Sequence, residues 1–124
     1  MATMEVYGFA HEDLPAARRA IEGALSICLE EAEEGTYPGG CYFRWYVPDG
    51  PCVQLRRNSG PYQRCTQLRR DSGPNQRWQG TPSHPWHPAY GVLVFVHGPA
   101  RESIIRCLQH DVPGLTFLEQ KETM

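Results

Sequence analysis

The sequence predicts an α+β fold, a two-layer sandwich in which a four- or five-stranded, mainly antiparallel sheet carries two helices on one face. Three observations predict this fold class. Apolar residues recur at helical spacing after Leu14 and again after Ala100. Apolar and polar residues alternate over residues 41–47, as in a half-buried strand, and residues 90–96 form one continuous apolar run. At 124 residues, of which 40% are hydrophobic, the whole chain fits a single domain.

The first elements are a short strand and a long helix. Residues 4–9 form the predicted strand, and Asp13 can cap the helix that follows, with Pro15 tolerated in its first turn. Apolar residues then recur at helical spacing for roughly five or six turns, until Gly35 ends the helix. The buried side of this helix comprises Leu14, Ala17, Ile21, Leu25, Cys28 and Ala32.

A β-hairpin is predicted next, beginning with the strand at residues 41–47. The side chains that face the core are Cys41, Phe43, Trp45 and Val47. The opposite face carries Tyr42, Arg44 and Tyr46. A Pro-Asp-Gly-Pro turn at residues 48–51 follows, and Val53 and Leu55 belong to the returning strand.

Regular structure resumes only after a long central loop that reaches residue 88. The run at residues 90–96 is predicted to be a strand covered on both faces, because it has no polar alternation. Gly98-Pro99 opens a second helix, and residues 115–118 form the last strand. The buried side of the second helix comprises Ala100, Ile104, Cys107 and Leu108. This order of elements resembles a ferredoxin-like layout with an excursion in the middle.

Residues 52–77 are one 13-residue unit written twice. Cys52-Val-Gln-Leu-Arg-Arg-Asn-Ser-Gly-Pro-Tyr-Gln-Arg64 is followed at once by Cys65-Thr-Gln-Leu-Arg-Arg-Asp-Ser-Gly-Pro-Asn-Gln-Arg77, and ten of the 13 positions are identical. The segment holds six arginines and one aspartate, a balance of +5. The rest of the chain has six basic and 13 acidic residues, a balance of −7. The repeat is therefore a basic insert in an acidic domain.

Two interpretations of the repeat remain open. Its paired arginines could bind phosphates while Tyr62 and Trp78 stack on bases, which would make the protein a nucleic-acid-binding module. Alternatively, the repeat is a recent duplication in a surface loop, which is tolerated because the entropy of loop closure grows slowly with loop length. The near-identity of the two copies favours duplication. The net charge of −2 provides no overall attraction to nucleic acid or to a membrane.

Four glutamates crowd the predicted end of the first helix. They are Glu30, Glu31, Glu33 and Glu34. Carboxylates at a helix C-terminus oppose the helix dipole and repel one another, so the cluster has a local energetic cost. It is either a solvated helix end or a surface that is complementary to a basic partner protein.

The sequence predicts neither a metal site nor catalytic residues. His84 and His87 are three residues apart, but zinc usually takes four Cys or His ligands from two close pairs, and prolines surround this single pair. No base is fixed beside a thiol, and the chain lacks a glycine-rich phosphate loop and paired catalytic carboxylates. We therefore expect no cofactor. A small enzyme or ligand-binding domain is kept as a further alternative.

The cysteines and the N-terminal residues indicate the compartment. The chain has five cysteines, an odd number, without a Cys-x-x-Cys pair. Its first ten residues lack the features of a signal peptide, and no apolar run has the length of a membrane span. We therefore expect reduced thiols, a cytoplasmic location and no association with membranes.

Several segments resemble small bacterial immunity proteins, which accompany polymorphic, contact-dependent toxins. After the first strand and helix come Tyr37-Pro-Gly-Gly-Cys-Tyr-Phe-Arg, Gln54-Leu-Arg-Arg-Asn and Ala89-Tyr-Gly-Val-Leu-Val-Phe-Val, then a short helix and a strand. Gly39-Gly40 before an aromatic strand is the sharpest of these features, and the duplicated insert departs from the pattern. The resemblance implies a protein that binds the toxin domain of its own system and blocks it without catalysis.

The predicted partner-binding residues belong to two groups. The acidic cluster comes first, since many toxin domains are basic nucleases that its charge would steer. Aromatic and arginine side chains on the strand face and in the central loop come second, because such side chains are the usual anchors of an interface. The full set comprises Glu30, Glu31, Glu33, Glu34, Tyr42, Arg44, Tyr46, Trp78 and Trp86.

Overall fold

The computed structural model describes residues 2–11, 13–34, 40–58, 89–99 and 101–123. In chain order, their elements are β1 (Ala2–Phe9), α1 (Leu14–Leu25), β2 (Glu30–Glu34), β3 (Gly40–Tyr46), β4 (Cys52–Arg57), β5 (Val92–His97), α2 (Glu102–His110) and β6 (Leu115–Thr123). Two helices with a single sheet confirm the predicted α+β class.

The six strands form one antiparallel sheet in the order β2-β3-β4-β5-β1-β6. The predicted count of four or five strands is wrong, because a segment whose spacing predicts helix forms β2. The elements β1, α1, β4, β5, α2 and β6 keep the β-α-β-β-α-β alternation of a ferredoxin-like fold. Because β2 and β3 are added between α1 and β4, the expected ferredoxin-like order holds only in part.

The core lies between the sheet and the two helices. Apolar residues of both helices join one buried cluster with alternate residues of the strands, so both helices pack on the same face, as predicted. Val92, Val94 and Val96 are fully buried on this face, and Leu93 is fully buried on the other. The prediction that β5 is covered on both faces is therefore confirmed.

Helix α1 begins as predicted but ends earlier. A carboxylate oxygen of Asp13 accepts a hydrogen bond of 3.0 Å from the Ala16 N–H, and Pro15 lies in the first turn. The helix ends at Leu25 because Ser26 adopts the left-handed conformation, with a φ of 56° and a ψ of 44°.

The segment after α1 forms a strand, so the prediction that the helix continues to Ala32 is wrong. Leu29 is buried in the core just before β2, while Cys28, predicted to be buried, is exposed. Glutamates spaced three and four apart would repel one another on a helix and oppose its dipole. On a strand they alternate between two faces, which separates their charges. The predicted acidic helix end is therefore an acidic strand at one end of the described sheet.

Strands β3 and β4 form the predicted hairpin. Phe43 lies opposite Leu55, and Trp45 lies opposite Val53, all directed towards the helices. The alternation also predicts that Val47 faces the core, and that prediction is wrong. It follows the end of β3 and is 42% exposed, because the chain has already entered the turn.

The turn between β3 and β4 packs against the loop that precedes α2. The Val47 N–H donates to the Pro51 carbonyl oxygen at 3.1 Å, which closes the turn. Gly98 has a φ of 103°, and a Cβ at this position would lie 2.7 Å from the Gly50 carbonyl oxygen. Only glycine fits here, for reasons of both backbone conformation and space.

Helix α2 begins at Glu102, later than predicted, with Arg101 at its N-cap position. Its buried side contains Ile104 and Leu108, as predicted. The predicted buried residue Ala100 lies outside the described residues.

Strand β1 is held on its helix-facing side by a buried ion pair. Arg101 Nε lies 2.9 Å from Glu5 Oε2, and Arg101 Nη1 donates to the Gly98 carbonyl oxygen at 3.2 Å. Along the edge away from β5, strand β1 pairs with β6, and this pairing begins with Ala2 opposite Thr123. This long pairing explains why β6 continues beyond the predicted residue 118.

Candidate functional site

The structure brings two predicted groups of partner-binding residues together. Strand β2 pairs with β3 so that Glu30 lies opposite Arg44 and Ala32 lies opposite Tyr42. Because Phe43 points into the core, its neighbours along β3 point away from the helices. We call this outer face of β2 and β3 the β2–β3 surface. Its predicted members are Glu30, Tyr42, Arg44 and Tyr46.

Arg44 lies at the centre of the β2–β3 surface. Its Nε donates a hydrogen bond of 2.7 Å to Glu30 Oε1, and its guanidinium carbon lies 5.7 Å from the centre of the Tyr46 ring. The hydrogen bond with Glu30 raises the pKa of Arg44. Both side chains of the ion pair are exposed, so water screens it and it contributes little to stability. Its main effect is to hold the guanidinium beside the tyrosine.

Tyr46 and Val47 are exposed at the end of β3. Tyr46 is 55% exposed, which makes it a large apolar surface next to a charged group. The hydrogen-bonded turn fixes the backbone that follows Tyr46. An exposed aromatic ring beside an oriented arginine has the composition of an interface anchor.

Tyr42 is only 8% exposed, so the prediction that its ring lies exposed on the strand face is wrong. Arg56 of β4 covers it, with the guanidinium carbon 4.0 Å from the centre of the ring. The Nε of Arg56 also donates to Gln54 Oε1 at 3.1 Å. Alternation predicts which face a side chain occupies, but a long arginine on the next strand decides whether the ring is covered.

Arg18 of α1 fixes the position of β2. Its Nη2 donates to the Leu29 carbonyl oxygen at 2.8 Å, and its Nε donates to Glu22 Oε2 at 3.3 Å. The same Glu22 oxygen accepts the Leu29 N–H at 2.8 Å. Arg18 also lies 3.8 Å from a carboxylate oxygen of Glu31 and 4.6 Å from the centre of the Phe43 ring. One side chain thereby joins the helix, the connection and both strands.

The other predicted partner-binding residues are not part of the β2–β3 surface. Glu31 is directed to the helix side, and Glu33 is exposed on the same side of β2. The backbone of Glu34 belongs to β2, but its side chain lies outside the description. Trp78 and Trp86 lie outside the described residues.

The first copy of the repeat contributes to the sheet. Val53 and Leu55 of β4 are fully buried. Asn58, which follows β4, is also fully buried, and its Nδ2 donates to the Tyr90 carbonyl oxygen at 2.8 Å. Its backbone N–H donates to the Gly91 carbonyl oxygen at 2.9 Å. Hydrogen bonds of Asn58 with Tyr90 and Gly91 therefore join the end of β4 to the start of β5.

Cys52 and His97 are cross-strand neighbours on β4 and β5, which is the described arrangement most like a nucleophile with a base. Burial raises the pKa of the Cys52 thiol, and a hydrogen bond with Gln54 and the charge of Arg44 offset this effect only in part. A raised pKa keeps the thiol protonated, whereas a nucleophilic cysteine requires thiolate. The direction of this pKa shift therefore does not favour a nucleophilic thiolate at Cys52.

Residues 2–11, 13–34, 40–58, 89–99 and 101–123 form neither a metal site nor a membrane span. Within these ranges, no three His, Cys, Asp or Glu side chains are grouped as metal ligands would be. Within the same ranges, no helix is long and apolar enough to cross a membrane. The predicted His84 and His87 pair lies outside them.

The cysteines differ from the expectation of reduced thiols. Cys41 is disulfide-bonded, so the expectation is wrong at this position. Cys28, Cys52 and Cys107 are free thiols. Because Cys41 lies on β3, next to Tyr42, the redox state has to be controlled when the β2–β3 surface is studied.

Arg18 and Arg56 are the residues of this region that sequence reasoning misses. The sequence signals only that Arg18 can pair with Glu22, four residues later on the helix. For Arg56, the signal is the hairpin register, because a short turn at residues 48–51 places it across from Tyr42. Neither pattern indicates that the arginine also covers an aromatic ring.

Comparison with known proteins adds no residue assignment to this site. No protein-family model matches the chain, and neither does any curated protein. The function is therefore inferred from the chemistry of the β2–β3 surface together with the sequence patterns.

Proposed function

We propose that this protein is a non-catalytic, cytoplasmic immunity protein of a bacterial contact-dependent toxin system, which binds its cognate toxin domain and occludes it. The observation that carries the proposal is the β2–β3 surface, where Glu30 of the acidic strand β2 lies beside an oriented arginine and an exposed tyrosine. The segments that resemble immunity proteins also support it.

The charge of β2 favours a basic partner. Four of its five residues are glutamates. Among the described ion pairs, Arg44 pairs with Glu30 and Arg18 pairs with Glu31. A negative surface attracts a basic protein over the Debye length and accelerates encounter, while it repels acidic proteins.

Tyr46 and Arg44 provide the contact that would hold the partner after encounter. The ring of Tyr46 offers exposed apolar area, and Glu30 already orients the guanidinium beside it. A side chain that is ordered before binding loses less rotamer entropy when the complex forms. We therefore expect Tyr46 to control the dissociation rate, and the glutamates of β2 to control the association rate.

The experiment measures binding kinetics with the C-terminal domain of a large secreted protein encoded next to this gene. The double variant E30Q/E33Q removes two charges from β2. The matched control E102Q/D111N removes two charges from exposed positions at the ends of α2. We expect E30Q/E33Q to slow association and flatten its salt dependence, the control to leave both unchanged, and Y46A mainly to accelerate dissociation.

Two results would contradict the proposal at different levels. Equal association rates for the two double variants, with normal dissociation of Y46A, would exclude an interface that uses strand β2 and Tyr46. If the protein neither binds the neighbouring toxin domain nor protects cells that produce it, the immunity function itself is excluded.

A nucleic-acid-binding module that uses the arginine repeat is the competing function. Its predicted base-stacking residues, Tyr62 and Trp78, lie outside the described residues. We expect only weak binding of a random oligonucleotide near physiological salt, because the chain carries a net charge of −2. Submicromolar binding that falls steeply with added salt would favour nucleic acid over a protein toxin.

A further inference from the structure

The two copies of the repeat offer two candidates for the same central strand. In the structure, β4 and the residue after it are the first seven residues of copy one. The corresponding residues of copy two are Cys65-Thr-Gln-Leu-Arg-Arg-Asp71, which are identical at five of the seven positions. The two differences fall on Val53 and Asn58, where copy two has Thr66 and Asp71.

The position of Val53 excludes a polar side chain. Val53 has no exposed surface and lies between Trp45 of β3 and Val96 of β5, in the core beneath the helices. A threonine has nearly the same shape, but it would bury a hydroxyl group among apolar neighbours. A buried hydroxyl without a partner is destabilising, because it gives up its hydrogen bonds to water.

The position of Asn58 requires a hydrogen-bond donor. Asn58 has no exposed surface, and its Nδ2 donates to the Tyr90 carbonyl oxygen. An ionised aspartate only accepts hydrogen bonds, so it would place a desolvated negative charge against that carbonyl oxygen. This second difference therefore also favours copy one in the position that β4 occupies.

We propose that Val53 and Asn58 select which copy of the repeat forms β4, and that copy two takes this position when the two residue identities are exchanged between the copies. The proposal does not depend on the function of the protein. Because of the duplication, two segments 13 residues apart can be placed in the position of β4. The buried side chains of Val53 and Asn58 select the first of these two registers.

The residues that are shared by the two copies would preserve the other contacts of β4. Leu55 is fully buried, Gln54 bonds to Arg56, and Arg56 covers Tyr42. Copy two has the same residue types at all three corresponding β4 positions. A change of register moves 13 residues from the β4–β5 connection to the β3–β4 connection. The entropy of loop closure changes slowly with loop length, so the buried side chains decide the outcome.

The first test compares two deletion variants of equal length, one without Cys52–Arg64 and one without Cys65–Arg77. They differ only in the three positions that distinguish the copies. Both are measured in reductant, so that the disulfide of Cys41 does not contribute. We expect the variant without copy one to have a folding equilibrium constant about 100-fold lower, and T66V/D71N within it to restore stability. Equal stability of the two deletion variants would overturn the selection by these residues.

The second test uses the full chain, again in reductant. V53T/N58D should be strongly destabilised, whereas the exchange variant V53T/N58D/T66V/D71N should recover a folded domain. Amide hydrogen exchange then locates the strand: protection should leave residues 52–57 in the exchange variant, although the domain stays folded. If the exchange variant is as unstable as V53T/N58D, or if it keeps protection at residues 52–57, copy two cannot replace copy one and the proposal is wrong.

Discussion

The side-chain amide of Asn58 donates a hydrogen bond of 2.8 Å to the carbonyl oxygen of Tyr90, 32 residues later in the chain. Next to it, the Gly91 N–H donates to the Phe9 carbonyl oxygen at 3.0 Å, and this bond connects the residue before β5 to the end of β1. The residues at the two ends of the long connection are therefore held by hydrogen bonds to the sheet.

Replacing Asn58 by alanine should destabilise the domain. The Tyr90 carbonyl oxygen would lose its donor, and the buried side-chain volume would be left unfilled. We expect a loss of about 2 kcal/mol in the free energy of unfolding, measured by urea denaturation. S103A, at an exposed position of α2, serves as the control and should change the value little. A near-native stability for N58A would show that the junction between β4 and β5 does not depend on this hydrogen bond.

Deleting residues 65–77 should leave the fold intact. Removing one copy shortens a connection whose ends are fixed by Asn58 and Gly91, and the loop-closure entropy changes by a fraction of 1 kcal/mol to about 1 kcal/mol. Circular dichroism and urea denaturation in reductant should therefore match the parent chain closely. Loss of the cooperative unfolding transition would mean that the second copy is required for the fold.

Replacing Arg101 by alanine should be among the most damaging single changes. The Glu5 side chain is only 6% exposed, and it would lose the guanidinium that lies 2.9 Å away. An unpaired buried carboxylate costs about 3–5 kcal/mol. The double variant E5L/R101M, which removes both charges, should recover much of this loss. If R101A and the double variant are equally unstable, the effect comes from lost packing and not from the unpaired charge.

Changing the four glutamates of β2 to glutamine should alter the stability of the free protein little. The pairs of Glu30 with Arg44 and of Glu31 with Arg18 are both accessible to solvent, and such pairs contribute little to stability because water screens them. Removing like charges from one short strand offsets part of that loss. Thermal denaturation should show a shift of a few degrees at most. A large decrease would mean that these carboxylates hold β2 on the sheet.

The folded protein should lose stability at alkaline pH, partly through Cys52. Burial raises the pKa of the Cys52 thiol, and burial likewise raises the pKa of Tyr7. The folded state therefore keeps a proton that the unfolded state releases. This contribution is complete below the ordinary thiol pKa of about 8.5 and is lost as pH rises above it.

C52A should consequently show a smaller decrease in unfolding free energy between about pH 7.5 and pH 9.5 than the parent chain. Alkylation gives a second measurement, in which the exposed Cys28 should react faster than Cys52 at neutral pH. Equal pH dependence of C52A and the parent would assign the alkaline decrease to other groups, with Tyr7 the first to examine.

The parts of the fold that the sequence predicts correctly carry local signals. Asp13 with Pro15 marks the start of α1, and the apolar run marks β5. The position of β2 has no such signal, because the apolar spacing of residues 14–32 fits a helix throughout. Ser26 breaks that helix, and the contacts of Arg18 with Leu29 stabilise the break. A tertiary contact thus overrides a periodic pattern.

The candidate site was predictable as two separate groups but not as one surface. Composition identifies Glu30, Arg44 and Tyr46, and only the pairing of β2 with β3 makes them neighbours. The burial of Tyr42 could not be predicted from its own strand, because Arg56 of the next strand covers the ring. Strand pairing and the covering of one side chain by another both depend on residues that are distant in sequence.

The contacts of Arg18 affect how the β2–β3 surface can evolve. Since this side chain bonds the connection at Leu29 and reaches Glu31, the backbone of β2 is held from the helix as well as by its pairing with β3. Substitutions at positions 30 and 46 would then alter the chemistry of the surface without moving its framework. Recognition can diverge one residue at a time on such a framework, and lineages that face different partners can keep the same fold.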